Sequence, residues 1–183
     1  MNIKQGLYQV KHDKEMALAS GLYANNKRVG MWHFFDYTGN LMQNFDYDRN
    51  MLTYEAADDD QSGFQYLFDV KVVATDTVTK PMKIGGRYFG YVPLINLFKK
   101  PEWLTMSYDS YPLITIELLV SPAGNLANYT IHINDYRQTN LNVNINLLNQ
   151  EDKTFVPATI NGQPVSSRIL IPCRLDDNGN IAW

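Results

Sequence analysis

The chain carries three histidines, His12, His33 and His132. A helix-borne zinc pair needs two imidazoles one turn apart. These three are spread along the chain, so each supplies a single imidazole to its own surroundings, and no metal site is expected. The run Asp58-Asp59-Asp60 has the acidity of a calcium loop. Counted from Asp58, it lacks the glutamate that closes an EF-hand loop, and it reads as a solvated loop. Ile84-Gly85-Gly86-Arg87 precedes a predicted helix. A glycine pair there either presents backbone N–H groups to an anion at the helix N-terminus or makes a tight turn into the helix. Cys173, the sole cysteine, follows Pro172 in an apolar strand beside Arg174. It reads as a buried thiol behaving like a small hydrophobe. There is no Gly-x-Ser-x-Gly elbow and no phosphate-binding Walker loop. Trp32, Tyr37 and Tyr47 could stack on a sugar ring or a small molecule. No nucleophile, base or metal set stands out, so the expectation is a protein without enzymatic activity and without a cofactor.

The composition bounds the setting in which these residues work. The 183 residues are 45% hydrophobic and 19% charged, enough apolar material for a core. A net charge of −3 argues against a nucleic-acid binder held by phosphate neutralisation. A single thiol excludes an intramolecular disulfide and fits cytosol and periplasm alike. No apolar run reaches the roughly 20 residues of a membrane-spanning helix. The first residues lack the charged-then-apolar shape of a secretion signal. The sequence therefore reads either as cytosolic or as starting after a removed signal.

Twelve tyrosines and abundant Asn suggest strands joined by turns. Residues 21–24, 30–36, 41–47 and 51–55 read as an antiparallel meander of hairpins. Residues 64–73 read as a further strand. A division after residue 79 separates a region of β-hairpins (1–79) from a second domain (80–183). In the second domain, Tyr91, Leu94, Ile95 and Phe98 have helical spacing, which predicts a helix over 89–98 stopped by Pro101. Residues 113–120 and 126–133 predict a hairpin around Pro122-Ala123-Gly124-Asn125, and 166–175 predict a last strand. Residues 141–148 alternate Asn with apolar residues at period two, yet Leu141, Ile145 and Leu148 also fit a helix face. Propensity leaves helix and strand both open there.

The second half resembles the C-terminal domain of TonB-type energy transducers. The carriers are Gly85-Gly86, the helix through Tyr91, Leu94 and Phe98, then Pro101 and the hairpin around Gly124. The segment Pro157-Ala158-Thr159-Ile160-Asn161-Gly162 and the last strand Arg168-Ile169-Leu170-Ile171-Pro172-Cys173-Arg174-Leu175 follow. The match covers residues 81–176. It tips 141–149 towards a second helix and implies an α+β fold, a small antiparallel sheet packed by two helices. The first part resembles MORN-type hairpin repeats and the related repeats of antitoxin-like proteins, over residues 20–55. Its carriers are Tyr23, Asn26-Lys27-Arg28-Val29-Gly30-Met31-Trp32, Phe35-Asp36, Gly39-Asn40-Leu41 and Tyr47.

The TonB-like resemblance implies an interaction protein of the periplasm or cell envelope. It implies that an extended segment of an envelope protein or peptide, such as an outer-membrane transporter, is bound by strand addition on the last strand. The residues for that edge are Arg168, Ile169, Leu170, Ile171, Cys173 and Arg174, with Pro172 compatible with an edge position. The chain's own tail, residues 176–183, is the alternative occupant of that edge. A second reading is a glycan- or small-molecule-binding protein that uses Trp32, Tyr37 and Tyr47 as an exposed aromatic surface.

Overall fold

The computed structural model describes residues 3–12, 16–57, 63–104, 112–134, 138–176 and 178–182. The run Asp58-Asp59-Asp60 and the C-terminal Trp183 lie outside the described residues. Among the described residues, strands account for 52% and helical turns for 9%, in several antiparallel sheets. The α+β architecture with two helices is therefore corrected to a mostly β fold. The chain forms two compact units, residues 1–58 with 83–92, and residues 59–82 with 93–183. The expected division after residue 79 falls inside a stretch of the second unit.

In the first unit, β1 (Gly6–Lys11), β2 (Ala17–Ala24), β3 (Lys27–Phe35), β4 (Leu41–Asp46) and β5 (Met51–Glu55) form a sheet in chain order. From β2 onward each strand returns beside its predecessor because the loops are short and hold residues with a left-handed backbone, Asn25, Asn26, Gly39 and Asn50. Asn25 and Asn26 both have positive φ, as the two-residue turn between right-twisted strands requires. One face of the sheet buries Trp32, Phe34, Phe45 and Gln43. Gly21 faces Trp32 at close range: a Cβ built there would lie 2.3 Å from the indole ring. Absence of a side chain at residue 21 is what gives the ring its place.

The second unit contributes β6 (Gln65–Phe68), β7 (Val78–Thr79), β9 (Leu113–Val120), β10 (Leu126–Asn134), β11 (Thr139–Asn142), β12 (Phe155–Val156), β13 (Ala158–Ile160), β14 (Gln163–Val165), β15 (Ser167–Leu175) and β16 (Ile181–Ala182); β8 (Met82–Lys83) lies where the chain passes between units. The main sheet runs β11-β10-β9-β15, and both β6 and β16 pair with the far side of β15. Strict alternation puts Ile114, Ile116, Leu118 and Val120 of β9 on one face. Tyr129, Ile131, Ile133, Ile169, Ile171 and Cys173 join them, and all are buried. Burial pushes the Tyr129 phenol above its ordinary pKa, and the nearby Cys173 adds to the shift. Its hydroxyl donates to the Leu94 carbonyl at 3.1 Å. A smaller sheet orders β14-β13-β7.

Both expected helices are corrected. Over 89–98 the backbone makes a π-type turn at Gly86–Gly90, with the Gly90 N–H on the Gly85 carbonyl, and then a single α-turn at Val92–Ile95. Pro93 has no N–H to give the carbonyl one turn earlier, so the ladder cannot run through it. Tyr91, Leu94 and Phe98 are buried, as their spacing suggested. Over 141–149 the period-two pattern wins. Residues through Asn142 belong to β11, and a short 3₁₀ turn at Ile145–Leu147 follows, with the Asn144 side chain accepting from the Asn146 N–H. The side of β10 opposite β9 offers a ladder to this segment, and Asn weakens the helical alternative.

One loop design closes hairpins in both units. In residues 36–40, 121–125 and 176–180, the first residue's N–H donates to the fifth residue's carbonyl at 2.9–3.0 Å, and the fourth residue's N–H returns to the first carbonyl. The fourth residue is always a glycine with φ between 73° and 87°. The first side chain, Asp36, Ser121 or Asp176, accepts from the fifth N–H. At Asp36 burial raises the carboxyl pKa, but hydrogen bonds from Thr38 and Asn40 outweigh it and hold it below the ordinary 3.8. Bonds from Asn180 do the same for Asp176, and the Val73 N–H and the Asn161 amide for Asp76.

Two outcomes are expected. Gly21→Ala forces Trp32 out of place at a cost of about 1–3 kcal/mol, read by urea unfolding and by a red shift of tryptophan emission. The three depressed carboxyls contribute stability that is fully present above pH 3.8 and is lost as the pH falls through their lower folded-state values. A chain carrying Asp36→Asn, Asp76→Asn and Asp176→Asn is therefore less stable at pH 7. It loses less stability than the wild type between neutral pH and the acid range, as measured by thermal unfolding across pH.

Candidate functional site

The strand expected to be an open edge lies inside the sheet. β15 pairs with β9 from Ser167 to Cys173. On its other side β6 pairs with Ser167 to Leu170, and β16, from the chain's own tail, pairs with Arg174 and Leu175. Of the expected partner-binding residues, Ile169, Ile171 and Cys173 point into the core. Leu170 is half-buried and Arg174 exposed on the opposite face. Arg168 on that face is committed to Glu117 and Asp69. The backbone groups that strand addition would use along 167–170 and 174–175 are spent on neighbouring strands.

The aromatic residues do not make one exposed surface. Trp32 is fully buried, and its indole N–H donates to the Leu22 carbonyl at 3.1 Å. Tyr47 is half-buried, and its hydroxyl accepts from Arg28 Nη1 at 2.9 Å. The Arg28 guanidinium lies 5.1 Å from the Trp32 ring centre, 5.7 Å from Tyr47 and 5.2 Å from Phe89. These rings therefore hold a cation that belongs to the chain itself. Tyr37 is exposed, its ring edge-on to Tyr88 and close to His12. The Gly85 N–H, a candidate anion donor, is taken by Gln43 Oε1 at 2.6 Å. His33 Nδ1 lies 2.7 Å from Asn44 Oδ1. Among the described residues no group of three or more metal-capable side chains converges.

Polar chemistry does converge on the outer face of the main sheet. Antiparallel register sets His132, Thr115 and Asn140 in one row, and Asn142, Thr130, Glu117 and Leu170 in the next. His132 Nε2 lies 2.8 Å from Glu117 Oε2, and Nδ1 lies 2.8 Å from Asn140 Oδ1. Glu117 Oε1 accepts from Arg168 Nε at 3.1 Å. Arg168 also pairs with Asp69, which accepts from Ser166 Oγ. This chain crosses the sheet from the loop after β6 to β11. Each member bonds to the next, so the arrangement cross-braces the sheet.

The open position lies at the other end of that brace. β11 is the outermost strand, and among the described residues nothing pairs with its outer side. The Val143 N–H donates to the Tyr129 carbonyl. By alternation, Leu141 and Thr139 also bond inward, and the N–H and C=O groups of Asn140 and Asn142 point away from β10. Leu141, Val143 and Ile145 are half-buried. From residue 138 to residue 150 there is no charge and no proline. Natural edges are commonly protected by Lys, Pro or bulges. The first unit follows that pattern: β1 ends in Lys11 at a register shift, and β5 ends in Glu55 beside a shifted β4. β11 carries none of these devices. The alternation of Asn with apolar residues was the sequence signal for it.

No family model matches the chain, and neither a curated protein nor a solved structure matches it. No helix among the described residues is long and apolar enough to cross a membrane.

Glu117 joins the two halves of the brace. Glu117→Gln is expected to lower stability by about 0.5–1 kcal/mol, the scale of a partly exposed pair. Much of that difference should vanish in high salt, as measured by urea unfolding with and without added NaCl.

Proposed function

We propose that the protein is a binding module without catalytic chemistry of its own, and that it takes up an extended segment of a partner protein by strand addition at β11. The observation that carries this reading is the unprotected edge: outward-facing backbone groups at Asn140 and Asn142 in a stretch with neither charge nor proline. An incoming strand would satisfy those groups, and its alternate side chains would cover Leu141 and Val143 on one face and meet the Asn row on the other. The partner segment is accordingly extended, uncharged where it pairs, and apolar at every second position. An envelope protein as the source of that segment is carried by the resemblance to TonB-type transducers. The strand-addition mode is kept from that resemblance, and the edge moves from β15 to β11.

A photoreactive residue at Asn142, with a control at Tyr54, tests this in the cells the protein comes from. A discrete adduct at Asn142, absent from the control and abolished by Asn140→Pro, is the expected result. Asn140→Pro removes the outward N–H, which an edge strand tolerates, together with the side-chain oxygen that meets His132. An adduct that persists with the proline in place, or that forms equally at Tyr54, overturns the reading.

A further inference from the structure

The chemistry demanded of the incoming segment is present in the chain itself. We infer that a second copy of this chain occupies β11 when no other partner does, so that the free protein is a two-fold dimer built edge to edge. This rests on the reading of β11 as the strand-accepting edge and names its resting occupant.

The argument is one of register and charge. Two β11 strands placed antiparallel about an axis through Asn142 set Asn142 opposite its own copy and Asn140 opposite Asn144. Leu141 then stands opposite Val143. Directly opposed residues share a face, so every Asn meets an Asn and every apolar side chain meets an apolar one. The residues brought together as hydrogen-bonding pairs are those whose backbone groups point outward, since Val143 and its period-two neighbours already bond to β10. Asn144 keeps an extended backbone (φ −73°, ψ 97°), so its N–H continues the outward row past the end of β11, while its carbonyl already accepts from the Leu147 N–H. An amide side chain both donates and accepts, so an Asn row can bond to a copy of itself. With no charge from 138 to 150, like meets like without repulsion. The two-fold axis stands perpendicular to the sheet, so the apolar faces of both copies lie on the same side and one continuous sheet results. Leu141 and Val143 would each be covered by the other copy's residues. The two edges of the first unit fit themselves less well: β1 has Lys11 and β5 has Glu55 in the paired stretch.

Sedimentation velocity of the full chain from about 1 to 100 μM tests the inference, because isologous dimers of modest affinity dissociate across that range. The wild type is expected to sediment as a dimer at the upper end. Asn142→Pro deletes an outward N–H, and Asn142→Lys places a charge against its own copy at the axis. Each is expected to weaken association at least about tenfold with an unchanged circular dichroism spectrum. The lysine variant keeps the backbone donor, so the test survives if the proline variant fails to fold. A wild type that stays monomeric throughout, or a dimer that neither variant weakens, overturns self-pairing. A monomer that still gives the proline-sensitive adduct at Asn142 sinks self-pairing alone. A dimer sensitive to both variants, with no foreign adduct in cells, supports self-pairing and sinks the foreign partner.

Discussion

The second unit depends on β15 having partners on both sides. Its Ser167–Cys173 stretch completes the ladder of β9, and β6 and β16 share its other flank. That insertion buries Ile169, Ile171 and Cys173 against the β9 and β10 side chains and closes the core. It also settles where the sheet stops. A sheet that does not close on itself has two ends, and one of them is occupied by two short strands from distant parts of the chain. At the other end, β11 has no partner among the described residues for its outward donors and acceptors. The brace from Asp69 through Arg168, Glu117 and His132 to Asn140 spans the sheet between those ends, tying the last strand in to the first one out.

The first unit solves a different problem, the burial of a cation. Arg28 follows a tight turn, yet its guanidinium lies among Trp32, Tyr47 and Phe89 and donates to the hydroxyls of Tyr23 and Tyr47. Trp32, Phe34, Phe45 and Tyr47 are thus spent on the sheet's packed face. The opposite face carries the shorter polar row of Ser20, His33 and Asn44. An aromatic-rich strand is ambiguous in this way because both its faces can hold rings. Which face packs depends on what the distant 86–90 segment covers.

Much of the local structure was legible in the sequence, and the long-range pairing was not. The hairpin of β9 and β10, the strand at β15 and the turns at Gly39, Gly124 and Gly179 follow from alternation and from glycine beside Asn. These are decided within a few residues. The expected helix over 89–98 gives way at Pro93, whose missing N–H interrupts the ladder. The segment over 141–149 was undecidable from propensity, and the available side of β10 decided it. The candidate edge was misplaced for the same reason. Whether a strand is an edge depends on residues far away in the sequence, here β6 and the tail, and no local pattern in β15 announces them. The alternation of Asn with Leu, Val and Ile over 141–148 is visible, but the resemblance tips it to a helix where the structure has β11 and a short turn.

The side-chain bonds that accompany the β6–β15 pairing join residues 97 and 99 apart in the sequence. On the ribosome, β6 emerges long before the β15 residues it pairs with exist. β9 and β10 can form their hairpin in the interval, but with one flank of β9 bare and its apolar side uncovered. Sheets that rely on such distant pairings fold slowly, and their waiting intermediates are the ones prone to stick to other chains. The second unit is therefore expected to acquire its structure only once β15 has emerged, whereas the five-strand meander can begin assembling as it leaves the exit tunnel. A cell making this protein faces its greatest aggregation hazard in that delay.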